Sequence, residues 1–196
     1  KEEATWALEQ RIELKAGPLI LWALNGSSVH KVWPHIDQIF ARMLIAYPEC
    51  KIVTVGDEKS LMLDEPWKAE PRIVRKSGKW TIRQTLAFAQ VSDLIVGPET
   101  GVLSGMAMED IPKIVFLSHS SHENLTRDWV NTFALFSTKT KCYPCHRMHY
   151  TWEHCWRNDD KDKYWEGTAQ CQVDLPPEAC WEAIGRALKH PDAIRA

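Results

Sequence analysis

The chain has 196 residues, with 24 Lys and Arg against 26 Asp and Glu, for a formal net charge of −2. That length suits one sizeable domain with its own core, and the charge balance lacks the basic footprint of a nucleic-acid-binding protein. No apolar run approaches the roughly 18 to 20 residues that cross a bilayer, and no signal-peptide pattern is visible, so a cytoplasmic protein without a transmembrane segment is expected.

The opening Lys1-Glu2-Glu3, without Met, is expected of a trimmed chain or a piece of a longer protein. Residues 5–15 carry Trp6, Ile12 and Leu14 among charges, and predict an amphipathic helix or the tail of a linker. Gly17-Pro18 stops it. Residues 19–24 form an apolar run suited to a buried parallel strand, followed by the polar turn Asn25-Gly26-Ser27-Ser28. Pro34 suits the first turn of a helix, and Ile36, Ile39, Phe40, Met43 and Leu44 recur at helical spacing. Residues 52–55 predict a second strand, closed by Gly56-Asp57-Glu58, and residues 72–74 a third.

Residues 81–90 predict a compact helix with Ile82, Leu86 and Ala89 on one face. Residues 94–96 and 113–117 predict the fourth and fifth strands, joined by a helix after Gly101, and residues 133–136 a sixth. Gly97-Pro98 is expected to end the fourth strand. Residues 177–189 close the chain as a helix. Strands alternating with helices at this rhythm imply an α/β fold, a Rossmann-like parallel sheet of about six strands flanked by helices. Ligands of such sheets bind beyond the carboxyl ends of the strands, where strand order reverses.

Three polar turns fall at those ends: 25–31, 56–58 and 97–101. In the first, Ser27 and Ser28 supply hydroxyls and Lys31 an ammonium, groups that bind phosphate oxygens, although a solvated surface lysine is the plainer reading of any single lysine. Asp57 or Glu58 offers a carboxylate to a ribose diol, or is simply a polar loop. Around Glu99-Thr100-Gly101, a strand, a tight turn and a helix start present backbone N–H groups to an anion such as a diphosphate; Thr100 as an ordinary N-cap is the plainer alternative. Residues 117–124 follow the fifth strand on the same rim, either touching a donor sugar or capping the segment at 125–129. Neither a Gly-x-Gly-x-x-Gly fingerprint nor a Walker loop occurs.

The series Gly26-Ser27-Ser28, Lys31, Trp33-Pro34, Val55-Gly56, 89–93 and 97–107 resembles the C-terminal half of glycosyltransferase family 9, the ADP-heptose:lipopolysaccharide heptosyltransferase family. The resemblance spans most of residues 19–188 in the family's order, and its specificity lies in the series rather than in any one short motif. It implies the donor-binding lobe of a two-lobed (GT-B) inverting enzyme, with an ADP-sugar as the favoured donor and a glycan or protein acceptor. Ser27, Ser28 and Lys31 match positions that hold the diphosphate, and Thr100 and Gly101 match the phosphate-cradling helix start. Asp57 or Glu58 lies where a ribose-binding acid is frequent. Glu99 stands where the family has Asp, and Ser104 where His is common. The family's catalytic carboxylate base and acceptor site belong to an N-terminal lobe that one sheet of this size leaves no room for, so the chain is expected to be inactive alone.

Cys142-Tyr143-Pro144-Cys145, with Cys155 and Cys171, gives four thiols in one irregular, Trp-rich segment, a pattern suited to a structural zinc or iron ion. The stretch is also similar to that of the autotransporter heptosyltransferases, whose cysteines hold iron. Covalent haem at Cys142-x-x-Cys145-His146, disulfides and free thiols are alternatives, and His146, His149 or His154 could replace a cysteine. Cys50 and Cys180 read as buried thiols. Ten tryptophans are expected mainly in the core, although such faces also stack on sugars and bases.

The resulting layout is an N-terminal helix or linker (1–17), a Rossmann-like nucleotide-sugar-binding domain (18–140), a cysteine-rich metal-binding segment (141–175) and a C-terminal helix (176–196). Two other functions fit: a nucleotide- or carbohydrate-binding module without catalysis, and a metal-knuckle interaction domain using the Trp-rich stretch 152–165. An oligomer stays open.

Overall fold

The computed structural model describes residues 1–15, 17–147, 155 and 168–189. Six parallel strands form one sheet: β1 (Leu19–Ala23), β2 (Lys51–Val55), β3 (Ile73–Arg75), β4 (Leu94–Pro98), β5 (Lys113–Phe116) and β6 (Thr132–Leu135). Their spatial order is β3-β2-β1-β4-β5-β6. The chain therefore builds outward from β1 in one direction, returns to place β4 beside β1, and builds outward in the other. The loops leaving β1 and β4 diverge, and a crevice opens between them at the carboxyl ends of the strands.

Both faces of the sheet are covered, which explains why its strands read as continuous apolar runs. Ile20, Trp22, Ile52, Leu94, Val96, Ile114 and Phe116 point to one face, where α2 (Ile36–Ala46) and α6 (Pro177–Ala187) pack. Leu19, Leu21, Ala23, Val53, Val55, Ile95 and Val115 point to the other, against α3 (Ile82–Ala89) and α4 (Gly101–Gly105). Thr81 and Gln84 close a reciprocal capping box at the start of α3.

The N-terminal helix α1 (Glu2–Leu14) lies on α3 through an edge-to-face Trp6–Trp80 pair at 5.1 Å and an Arg11–Asp93 ion pair at 2.9 Å. Asp93 also accepts the N–H of Leu19 at 2.8 Å, tying the helix to the beginning of β1. Trp22 and Trp33 are buried as the composition suggests. Trp33 stacks on Phe116 at 4.6 Å and donates its indole N–H to the Leu175 carbonyl at 3.0 Å. The segment after β1 is thereby fixed against the sheet and against the start of the last helix.

Two expectations need revision. β4 continues through Gly97 to Pro98, which pairs with Phe116 of β5. The Ile95 N–H points toward β5, so by alternation the nitrogen of Pro98 faces β1, where pairing has already ended at Trp22 and Val96. No ladder hydrogen bond is lost there. The helix after Gly101 is only five residues long, so its first N–H groups, rather than a summed dipole, are what it presents. The Trp-rich stretch 152–165, His149, His154 and the end of the 176–196 segment lie largely outside the described residues. No described helix is long and apolar enough to cross a membrane.

Candidate functional site

At the crevice between β1 and β4 lies a cavity of about 560 Å³, lined from the loops after β1, β2, β4 and β5. Ser27, Lys31, Asp57, Glu99, Thr100, Gly101 and Ser104 all reach it, although they span nearly eighty positions in sequence. Ser28 and Glu58 do not. Ser28 is fully buried behind the turn, and its hydroxyl has no hydrogen-bond partner among the described residues. Glu58 is exposed, and its side chain runs toward Gly78 instead. Each sits next to a residue that does face the cavity, and successive residues of a tight turn point in different directions.

Lys31 crosses the turn after β1 and donates to the Glu99 carbonyl at 2.9 Å, bridging the β1 and β4 loops. Gly26 makes that path available: a Cβ there would lie 2.4 Å from Lys31 Cδ. Burial pulls the Lys31 pKa below its ordinary value, and the charge of Glu99 opposes the shift. An ammonium has three donors, so the bond to Glu99 leaves two for a ligand.

Thr100 caps α4 through its hydroxyl and the Leu103 N–H at 3.5 Å, as the plainer sequence reading has it. The cap does not use the first N–H groups of the helix, which have no intrahelical acceptor. A side chain at Gly101 would meet nothing within 4 Å, so the backbone at the helix start is open to the cavity. On the opposite wall, Asn25 and Asp57 are joined through Ser60. The Ser60 hydroxyl lies 2.8 Å from Asn25 Oδ1 and 3.0 Å from Asp57 Oδ1, and the Ser60 N–H donates to Asp57 at 3.1 Å. Asp57 Oδ2 carries no hydrogen bond among the described residues, and so remains an acceptor for a diol.

Glu99 is the group whose role differs most from expectation. Its side chain is buried, and its carboxylate accepts the N–H groups of Ser118, His119 and Ser120 at 2.7, 3.2 and 3.1 Å. The Ser120 hydroxyl adds 3.3 Å, and His119 Nδ1 lies at 2.7 Å from the other oxygen. Burial raises the carboxyl pKa, but the His119 contact and the two backbone bonds outweigh it, leaving the group below its ordinary range. A carboxylate with this many donors holds the β5 loop in place rather than offering itself to a ligand.

That loop, read from the sequence as either touching a donor sugar or capping the segment after it, divides between the cavity and a cap. His119, Ser120 and, beyond them, Leu125 line the cavity. Ser121 instead caps the π-helical turn His122–Thr126, in a capping box with Asn124. Asn25 and Leu125 line the cavity without having been candidates, and the only signal for Asn25 was its place in the turn after a predicted strand.

All six cysteines are free thiols, with Cys50, Cys171 and Cys180 buried. Among the described residues, no group of three or more His, Cys, Asp or Glu side chains is placed to hold a metal ion. Cys142, Cys145 and Cys155 do lie within electrostatic reach of Cys171, whose pKa is pushed up to about 12, by burial first and by those neighbours next. Cys171 Sγ donates to the Ser118 carbonyl at 3.3 Å.

No protein-family model matches the chain, and no curated protein matches it in sequence. Its fold is that of solved glycosyltransferases. It superposes on the ADP-heptose lipopolysaccharide heptosyltransferase II of E. coli with a TM-score of 0.69 at 16% identity, covering 96% of this chain and 51% of that one. A glycosyl transferase family 9 protein from Veillonella parvula gives a TM-score of 0.66 at 16% identity, covering 96% of this chain and 52% of the other. The chain thus spans about half the length of these structures.

Proposed function

We propose that the cavity binds the diphosphate and ribose of a nucleotide sugar, and that the chain is the donor-binding half of an inverting glycosyltransferase. The observation that carries this reading is the convergence of Ser27, Lys31, Thr100 and Gly101 on one cavity at the point where strand order reverses. In that arrangement the Lys31 ammonium and the first N–H groups of α4 receive the two phosphates, the Asp57 carboxylate accepts from the ribose, and Ser104 faces the sugar. An ADP-sugar, such as an ADP-heptose, is the donor favoured by the sequence resemblance. Breaking the anomeric C–O bond leaves charge on the departing diphosphate, and Lys31 with the backbone amides stabilises that charge as it develops. The proton acceptor for the incoming hydroxyl, and the glycan or protein acceptor itself, belong to another lobe.

Calorimetry with ADP tests this reading. The intact chain is expected to bind, and Lys31→Ala to weaken binding roughly 10- to 100-fold, the range for a hydrogen bond to a charged group. Unchanged affinity removes the diphosphate site.

A second reading has its own observation. Glu99 is saturated by the β5 loop and so is not free to orient a sugar. A binding module without catalysis would need it only as a brace. A thermal-shift comparison separates the two: a module responds equally to ADP and to ADP-sugars, whereas a donor site is stabilised further by the sugar.

The cysteines enter the proposal only through their convergence on Cys171. Zinc or iron held by Cys142, Cys145, Cys155 and Cys171 would take all four as thiolates, and the Ser118 carbonyl would then lose Cys171 as a donor. Elemental analysis of purified protein is expected to show about one such ion per chain. A preparation with neither ion returns the cluster to free thiols.

A further inference from the structure

Residues 117–120 form the cavity wall that follows β5, and both edges of this strap are fully engaged. Along one edge, the N–H groups of Ser118, His119 and Ser120 all point to Glu99. Along the other, four successive carbonyls each accept a hydrogen bond from the cysteine-bearing segments. Leu117 O accepts from Gln172 Nε2 at 3.0 Å, and Ser118 O from Cys171 Sγ at 3.3 Å. His119 O accepts from the His146 N–H at 2.9 Å, and Ser120 O from the Tyr143 hydroxyl at 2.9 Å.

None of these four donors lines the cavity. A surface loop ordinarily leaves its carbonyls to water, so four long-range protein donors on consecutive residues make this strap a clamped element. The donors are themselves fixed. The Tyr143 ring stacks on Phe136 at 5.3 Å, and burial first, then the charge of Glu99, pushes the pKa of its phenol up, so it stays a donor. Thr140 and Asp174 join the two cysteine-bearing segments at 2.6 Å.

We propose that Tyr143 and Gln172 are positioning residues of the ligand cavity: through the carbonyls of Ser120 and Leu117 they set where His119 and Ser120 stand in its wall, and they thereby couple the cysteine-bearing segments to ligand binding. The proposal rests on the donor-site reading for its choice of ligand probe, ADP. Coupling of this kind is reciprocal, so a ligand that orders the strap also shields the segments that clamp it.

Tyr143→Phe removes one oxygen and keeps the ring on Phe136. It is expected to move the amide resonances of Ser118, His119 and Ser120 and the ring resonances of His119 in an NMR spectrum, and to lower ADP affinity roughly three- to tenfold, as for one net hydrogen bond. Its melting temperature should stay within about 4 °C of the parent. Gln172→Met, which keeps the length of the side chain and loses the donor to Leu117, should also shift the Ser118 amide and lower ADP affinity by a similar factor. In the parent protein, ADP should slow alkylation of Cys142 and Cys145 by iodoacetamide, and Tyr143→Phe should lose that protection.

Unmoved resonances at 118–120 in Tyr143→Phe overturn the proposal, as does parent-like ADP affinity in both Tyr143→Phe and Gln172→Met. If the parent protein does not bind ADP, the donor-site reading fails, and the resonances of the strap in Tyr143→Phe still decide the positioning role either way. If Tyr143→Phe does not fold, Gln172→Met carries the same spectroscopic comparison.

Discussion

The two walls of the cavity are built by opposite means. The wall after β1 and β2 is assembled from short turns: Asn25, Gly56, Asp57 and Ser60 meet because adjacent parallel strands end side by side. The wall after β4 and β5 depends on distant chain. Glu99 receives three consecutive N–H groups about twenty residues away, and the same strap is clamped from behind by residues up to 55 positions further on. One wall is therefore set by strand order, and the other holds its shape only while remote segments stay docked. Ligand affinity and fold stability should come apart differently on the two sides.

The largest effect is expected on the long-range wall. Glu99→Ala leaves the N–H groups of Ser118, His119 and Ser120 without their acceptor, at a cost of about 1–3 kcal/mol for each buried donor left unpaired. Denaturant unfolding measures it, and a loss below about 1 kcal/mol would mean that the strap stands without its carboxylate.

The same group sets an acid limb. The folded pKa of Glu99 lies below its unfolded value of 4.5, so the stability it contributes is present above pH 4.5 and is lost as pH falls through the lower folded value. Unfolding curves recorded from pH 6 downward should therefore fall less steeply in Glu99→Gln than in the parent. Parallel curves would remove Glu99 as a source of that slope.

On the local wall, Gly56→Ala forces a methyl to within 2.1 Å of the Ser60 hydroxyl and 2.6 Å of its Cβ. Ser60 is buried in its network with Asn25 and Asp57 and cannot swing away, so about 1–3 kcal/mol of destabilisation is expected. Gly26→Ala sharpens the contrast with the smallest change in stability. The atom it meets is Cδ of Lys31, the flexible part of a long side chain, which can move aside. Unfolding should then change by less than about 0.5 kcal/mol, while ADP affinity drops several-fold because the ammonium is displaced. Equal losses in both quantities would mean that the two functions are not separable at this turn.

Much of the architecture was readable in the residues. Apolar runs at 19–24, 52–55, 94–96 and 113–117 alternated with helix-period segments, and parallel strands covered on both faces give that pattern. The turn residues at the carboxyl ends marked where a ligand would meet the sheet. Ser28 and Glu58 show where such reading stops: the spacing identified the turns but not which of two adjacent side chains turns inward. Glu99 and His119 show the larger gap, because a buried carboxylate is recognised only once its donors are known, and these come from another loop. The cysteine spacing suggested a metal, and the fold brings Cys142, Cys145 and Cys155 within electrostatic reach of Cys171 behind the cavity wall.

By itself, then, the sequence determined the α/β class, the strand positions and the polar turns, because these follow from periodicity and local backbone chemistry within a few residues. Only the tertiary structure decided that Lys31 bridges to the Glu99 carbonyl, that the Glu99 carboxylate is a brace, and that segments near 143 and 172 support residues 117–120. Those facts are contacts between residues 20 to 70 positions apart, whose geometry exists only after the sheet has fixed the order of its strands.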